Sequence, residues 1–135
     1  MALDRTELID LVQLAMKRVS VVPFEENKIA FGTNVAAVTL STEKVMVCEA
    51  YINITRENRT VHLGFSATMQ KAANSTFTIA VDGNDRPKEY KNTNATLNFT
   101  DIMFLGTGLH HIAVYAVAES TAVISPREAM LGVYL

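Results

Sequence analysis

Val45-Met-Val-Cys-Glu-Ala-Tyr-Ile-Asn-Ile-Thr55 is the longest largely apolar stretch of the chain, and its side chains alternate with the two-residue period of a β-strand. Met46, Cys48, Ala50, Ile52 and Ile54 share one face, while Glu49, Tyr51, Asn53 and Thr55 share the other. An apolar face opposite a mixed one predicts a half-buried strand of an antiparallel sheet. Downstream, Arg56-Glu-Asn-Arg59 reads as a polar turn, and Val61 to Met69 reads as the hairpin partner. Upstream, Lys28 to Gly32 and Val35 to Leu40 read as two short strands around a Gly-Thr-Asn turn.

The alternation continues toward the C-terminus. Thr76 to Val81 predicts a strand, Asp82-Gly-Asn-Asp85 a turn, and Pro87 confines the next segment to an edge strand or a loop. From Lys91 the register is polar, placing Asn92, Asn94, Thr96, Asn98 and Thr100 on one exposed face before Ile102-Met-Phe-Leu105 turns apolar. After Gly106-Thr-Gly108, the segment Leu109 to Glu119 is apolar on both sides: Ile112, Val114, Ala116 and Ala118 on one, Ala113, Tyr115 and Val117 on the other. Such a strand is central or lies at an interface, and Ala113, Tyr115 and Val117 are the expected contact with a second copy. Ala129-Met-Leu-Gly-Val-Tyr-Leu135 is apolar to its last residue, which predicts a C-terminus pinned into a sheet.

Before Pro23 the period changes to that of a helix. Asp4 is placed to cap it and Glu7 lies three positions on. Leu8, Leu11, Val12 and Ala15 then recur at three- and four-residue spacing, acids sit early and bases late, and the helix is predicted to reach about Arg18. The chain therefore divides into residues 1–22, a helix and connector for docking or oligomerisation, and residues 23–135, a β-sandwich.

A 135-residue chain is long enough for one domain with its own core. Hydrophobic residues make up 49% and charged residues only 19%, an apolar load that a subunit interface would absorb. No run approaches the roughly 18 apolar residues of a membrane-spanning helix. A formal charge of −2 provides no basic footprint for nucleic acid or an anionic membrane. Asp4, Glu7 and Asp10 stand where an export signal would be basic or apolar. Cys48 is the single cysteine, so no intrachain disulfide can form.

The residues offer no catalytic or metal-binding signature, and neither an enzymatic activity nor a cofactor is expected. His110 and His111 are adjacent on a strand and point to opposite faces, so they cannot chelate one ion. Cys48, on the apolar face, reads as a small hydrophobe. Five Asn-x-Ser/Thr triplets, at Asn53, Asn58, Asn74, Asn94 and Asn98, read as β-surface chemistry. The amide and hydroxyl row from Asn92 to Thr100 is the one feature that could engage a sugar.

The C-terminal third, Gly106-Thr-Gly-Leu-His-His-Ile-Ala-Val-Tyr-Ala-Val followed by Ile124-Ser-Pro-Arg-Glu-Ala-Met-Leu-Gly-Val-Tyr-Leu135, resembles the closing strands of jelly rolls of the tumour-necrosis-factor and complement globular-head type. With a short helix in front, the whole resembles small virion proteins of tailed bacteriophages: head fibres, capsid decoration proteins and baseplate heads. The resemblance covers roughly residues 28 to 135 as a strand pattern. It implies a mainly β, antiparallel jelly-roll sandwich with an N-terminal α-helix, made in the host cytoplasm and carried on the virion. It further implies a homotrimer serving as non-enzymatic capsid decoration or a head-fibre-like part, with a capsid or tail protein as partner. A head that binds a surface glycan or host receptor is the alternative. Without a collagen-like or coiled-coil stalk, a compact head is expected rather than a long spike.

Overall fold

A computed structural model describes residues 28–56, 59–71 and 73–135. The expected helix, with Leu8, Leu11, Val12 and Ala15, lies outside the described residues. The strands are β1 (Ile29–Thr33), β2 (Val38–Leu40), β3 (Val45–Ile54), β4 (Arg59–Met69), β5 (Ser75–Val81), β6 (Asn84–Asn92), β7 (Thr96–Leu105), β8 (Gly108–Ala118) and β9 (Ala122–Tyr134). They form two antiparallel sheets. The first has the order β1-β9-β4-β7 with β2 also on β9, and the second has the order β3-β8-β5-β6. Apart from β1 to β2 and β5 to β6, every strand-to-strand connection crosses from one sheet to the other, the wrapped path of a jelly roll.

This path corrects one expectation. β3 does not form a hairpin with β4: it pairs with β8, and β4 lies in the opposite sheet between β9 and β7. Both strands are long and apolar on one face, and two inner faces that must cover each other satisfy that pattern as well as a hairpin does. A second correction concerns Met46. A register shift between Met46 and Cys48 puts Val47 inside and leaves Met46 39% exposed, because a bulge reverses the facing of the residues beyond it. Cys48, Ala50, Ile52 and Ile54 are buried as expected. Val35, expected in a strand, sits in the turn between β1 and β2 and is exposed.

The readings of the Asp-Gly turn, the Pro87 edge and the two central strands hold. β5 and β6 meet through Asp82 and Gly83, both at positive φ (52° and 84°), the geometry that favours an Asp-Gly hairpin turn. Pro87 lies on β6, the edge of the second sheet. β8 is central in that sheet, and β9, which ends at Tyr134, is central in the first. Aromatic side chains fill the middle of the core: Phe65 lies 5.6 Å from Phe77 and 5.1 Å from Phe99, and Tyr90 stacks on Phe99 at 3.9 Å.

One buried amide organises the first sheet. β9 swells outward at Ser125–Glu128, where Arg127 has φ 63° and Pro126 needs no ladder donor. Asn34, 5% exposed, fills the gap. Its Nδ2 donates to Ser125 O (2.8 Å) and Ala36 O (3.0 Å), and its Oδ1 accepts from Ala129 N (3.0 Å). Its carbonyl also accepts from Arg127 N at 2.7 Å. Asn34 thus pairs Ser125 O, Arg127 N and Ala129 N of the bulge, which separates β1 from β2 along a single partner strand.

Candidate functional site

The outer face of the first sheet follows from strand register. Three rows cross all four strands: Ile29, Tyr134, His62 and Ile102; Phe31, Gly132, Gly64 and Thr100; Thr33, Met130, Ser66 and Asn98. Thr60 and Phe104 extend the face at one end, Thr68 and Thr96 at the other. None of these positions is Asp, Glu, Lys or Arg. Phe31 is 67% exposed and Phe104 76%, with Ile29, Ile102, Met130 and Tyr134 also exposed. Tyr134 stacks on His62, ring centres 5.1 Å apart.

At the centre of the face, the Gly132–Gly64 pair leaves a depression of about 510 Å³ bounded by Ser66, Asn98, Thr100 and Met130. A Cβ placed on Gly64 would meet nothing within 4 Å, and one on Gly132 would touch the Phe31 ring at 3.7 Å. The expected polar row is divided by the fold: Thr96, Asn98 and Thr100 belong to this face, whereas Asn92 ends β6 and Asn94 lies in the following turn. Contiguous exposed apolar surface of this kind marks an interaction site. Sequence reading missed it because β1 and β9 are apolar on both faces, and the signal lay in Ile29-Ala-Phe31 and Met130 to Tyr134 read together.

The residues expected at an oligomer contact lie on the second sheet. Ala113 is 1% exposed, flanked in register by Glu49 and Ala80, so it offers no surface to a second copy. Tyr115 is half-buried with the Lys44 ammonium 4.9 Å above its ring. Val117 is half-buried at the side of a cavity of about 450 Å³, shared with Asn74, Thr76, Lys91, Asn92 and Glu119. Asn74 Nδ2 donates to Glu119 at 3.0 Å there. Of the Asn-x-Ser/Thr asparagines, Asn74, Asn94 and Asn98 are exposed and Asn53 is buried, whereas Asn58 lies outside the described residues.

His110 and His111 diverge, as strand geometry requires. His111 Nε2 lies 2.5 Å from Glu49 Oε2. His110 Nδ1 lies 2.7 Å from Asp82 Oδ2 and its Nε2 lies 2.8 Å from Gly106 O. Both partners of His110 are acceptors, so only the doubly protonated ring satisfies both. Burial alone would lower the His110 pKa, but the hydrogen bonds to Asp82 and Gly106 and the Asp82 charge outweigh it and hold it above 6.5. Burial likewise opposes Asp82, whose bonds from His110 and the His111 N–H, with the histidine charges, hold it below 3.8. The positive-φ turn is thereby tied to β8.

Its stabilisation has two limits. The Asp82 part is present above about pH 3.8 and lost as pH falls through its depressed value; the His110 part is present below about pH 6.5 and lost as pH rises through its raised value. The urea midpoint is therefore expected to be highest between those two values and to fall as pH rises through the raised His110 value, and His110→Gln should remove that alkaline fall. An unchanged alkaline slope in His110→Gln would refute the linkage.

Cys48 is buried, and burial first, then the Glu49 charge, pushes its thiol up to about 12. A thiol held protonated is no nucleophile at neutral pH. Among the described residues, no three of His, Cys, Asp and Glu converge as metal ligands.

No protein-family model matches the chain, and no curated protein sequence matches it. Similar solved structures exist. Dimeric latent PorU from Porphyromonas gingivalis aligns over 81% of this chain with a TM-score of 0.51 at 8% identity, and the match spans 12% of PorU. A family 35 carbohydrate-binding module from Clostridium thermocellum aligns over 79% of this chain and 98% of its own, at 13% identity and a TM-score of 0.49. Eiger TNF from S. frugiperda aligns over 82% and 92%, at 11% identity and a TM-score of 0.48. At such identities the likeness is one of fold. The chain is a mainly β, antiparallel jelly-roll sandwich.

Proposed function

We propose that this chain is a non-enzymatic structural protein of a virion, of the capsid-decoration or head-fibre type, which assembles as a homotrimer through the outer face of its first sheet. The observation that carries the self-assembly is the uncharged face on which Ile29, Phe31, Ile102, Phe104, Met130 and Tyr134 are exposed together. Obligate homo-oligomer interfaces have this composition: charges depleted, aromatic residues and Met enriched. The virion role rests on the resemblance of the strand pattern and on residues 1–22, whose sequence reads as a helix and connector that would dock on a capsid or tail protein. The outward chemistry is surface recognition.

The experiment has two parts. Light scattering at micromolar concentration is expected to give three times the 14.8 kDa chain mass, and a monomer would refute the assembly. Sedimentation with undecorated phage capsids should carry the full chain down and leave a variant lacking residues 1–22 in solution. Equal sedimentation of both would refute the docking role.

A second reading, a glycan- or receptor-binding head, is favoured by one observation: Ser66, Asn98 and Thr100 line the depression, whose Gly132 floor lies beside the Phe31 ring. Amides and hydroxyls beside an aromatic ring suit a sugar. Because both readings claim one face, a glycan that binds the monomer and is excluded from the oligomer would favour the second.

A further inference from the structure

We infer that copies of this chain join by a knob-into-hole contact: Phe104, on the margin of the outer face of the first sheet, enters the glycine-floored slot at the centre of the same face of the next copy. The inference deepens the self-association reading and rests on it.

The hole is built by register. Gly132 and Gly64 stand side by side on β9 and β4, between the Tyr134–His62 stack on one side and Met130 with Ser66 on the other; the Phe31 ring lies beside Gly132, and the row is open at Gly64. Nothing lies within 4 Å of a Cβ placed on Gly64. Two adjacent glycines in central strands surrender side-chain packing, which is common where another chain or ligand approaches the backbone. The knob lies elsewhere on the same face. β7 is the edge strand, and Phe104 there, opposite Thr60, is 76% exposed.

Two features identify a second copy as the occupant. The sixteen positions of the face bear no Asp, Glu, Lys or Arg, with Arg127 and Glu128 exposed beyond Met130 at its end, so the cover of its middle is largely apolar, and this face is itself such a surface. Its extent also suffices. Sixteen face positions, with strands about 4.8 Å apart and rows about 6.8 Å apart, give a flat footprint of roughly 500 Å². A corrugated face has a larger accessible area, of the order of the roughly 800 Å² per partner in a stable interface. A sugar in the slot would leave Phe104, Ile102 and Ile29 uncovered. Knob and hole occupy different positions on the face, so each copy of a trimer can give its knob to one neighbour and its hole to the other, and such a heterologous contact makes a ring where the rotation closes.

The test uses the full chain with Gly64→Leu, which fills the open slot, and Phe104→Ala, which removes the knob. Each variant alone is expected to weaken self-association at least about 30-fold, as loss of a central interface anchor does, and to appear monomeric in light scattering with an unchanged β-type circular dichroism spectrum. An equimolar mixture is expected to form a 1:1 heterodimer, because Phe104→Ala keeps a hole and Gly64→Leu keeps a knob. If Gly64→Leu loses its β signature, Thr100→Phe at the exposed end of the slot replaces it. Either variant remaining assembled like the wild type, or a mixture that stays monomeric, overturns the knob-into-hole contact. A monomeric wild type overturns the self-association reading itself, so the two failures are distinguishable.

Discussion

Phe31→Asp is expected to convert the assembly into a folded monomer. Phe31 is 67% exposed in the single chain, so a carboxylate there is hydrated in the monomer and costs the fold little. In the assembly, the same carboxylate would be buried on a face without Lys or Arg. An uncompensated buried charge costs about 3–5 kcal/mol, a factor of roughly 10²–10³ or more in affinity at each contact. Each copy of a ring makes two contacts, so the loss compounds. Val117→Asp, on the second sheet and half-buried beside Lys91, should leave the mass unchanged. Light scattering decides between the sheets: dissociation by Val117→Asp with Phe31→Asp still assembled would move the interface to the face of Tyr115 and Val117.

The sequence made the class of fold legible because strand alternation is local. Cys48, Ala50, Ile52 and Ile54 announce an inner face, Asp82-Gly83 a tight turn, and Pro87 an edge. Pairing is not local. β3 and β4 read as a hairpin because proximity in the chain is the usual guide to pairing, yet a jelly roll sends successive strands to opposite sheets. The bulge at Met46 was invisible for a similar reason: one inserted residue leaves the apolar content unchanged and reverses the facing. The candidate site shows the same limit. Its central pair, Gly64 and Gly132, lies 68 positions apart and becomes a slot only through the β4–β9 register. Interface reasoning from β8 alone selected Ala113, whose short side chain is enclosed by its own sheet.

Gly32→Ala is expected to destabilise the fold by about 3 kcal/mol or more, whereas Gly64→Ala should be nearly neutral. A Cβ on Gly32 would lie 1.9 Å from the Glu49 carbonyl oxygen and 2.7 Å from its carbon. Those are backbone atoms of β3, a strand held along its length by β8, so the obstacle cannot rotate away as a side chain could. Overpacking a core typically costs 1–3 kcal/mol, and a clash with a fixed strand belongs at or above the top of that range, a large share of the 5–15 kcal/mol that holds a domain together. The chain's alternative is to let β1 peel from β9. That forfeits the Ile29-to-Thr33 ladder and takes Ile29 and Phe31 out of the assembly face. Urea denaturation distinguishes the responses: strain lowers the midpoint at an unchanged slope, while a detached β1 lowers the slope as well, because less surface is then buried. In both cases Gly32→Ala should assemble less well than Gly64→Ala, whose added methyl points into open space. Equal midpoints for the two variants would show that β1 does not press on β3 as closely as Gly32 implies.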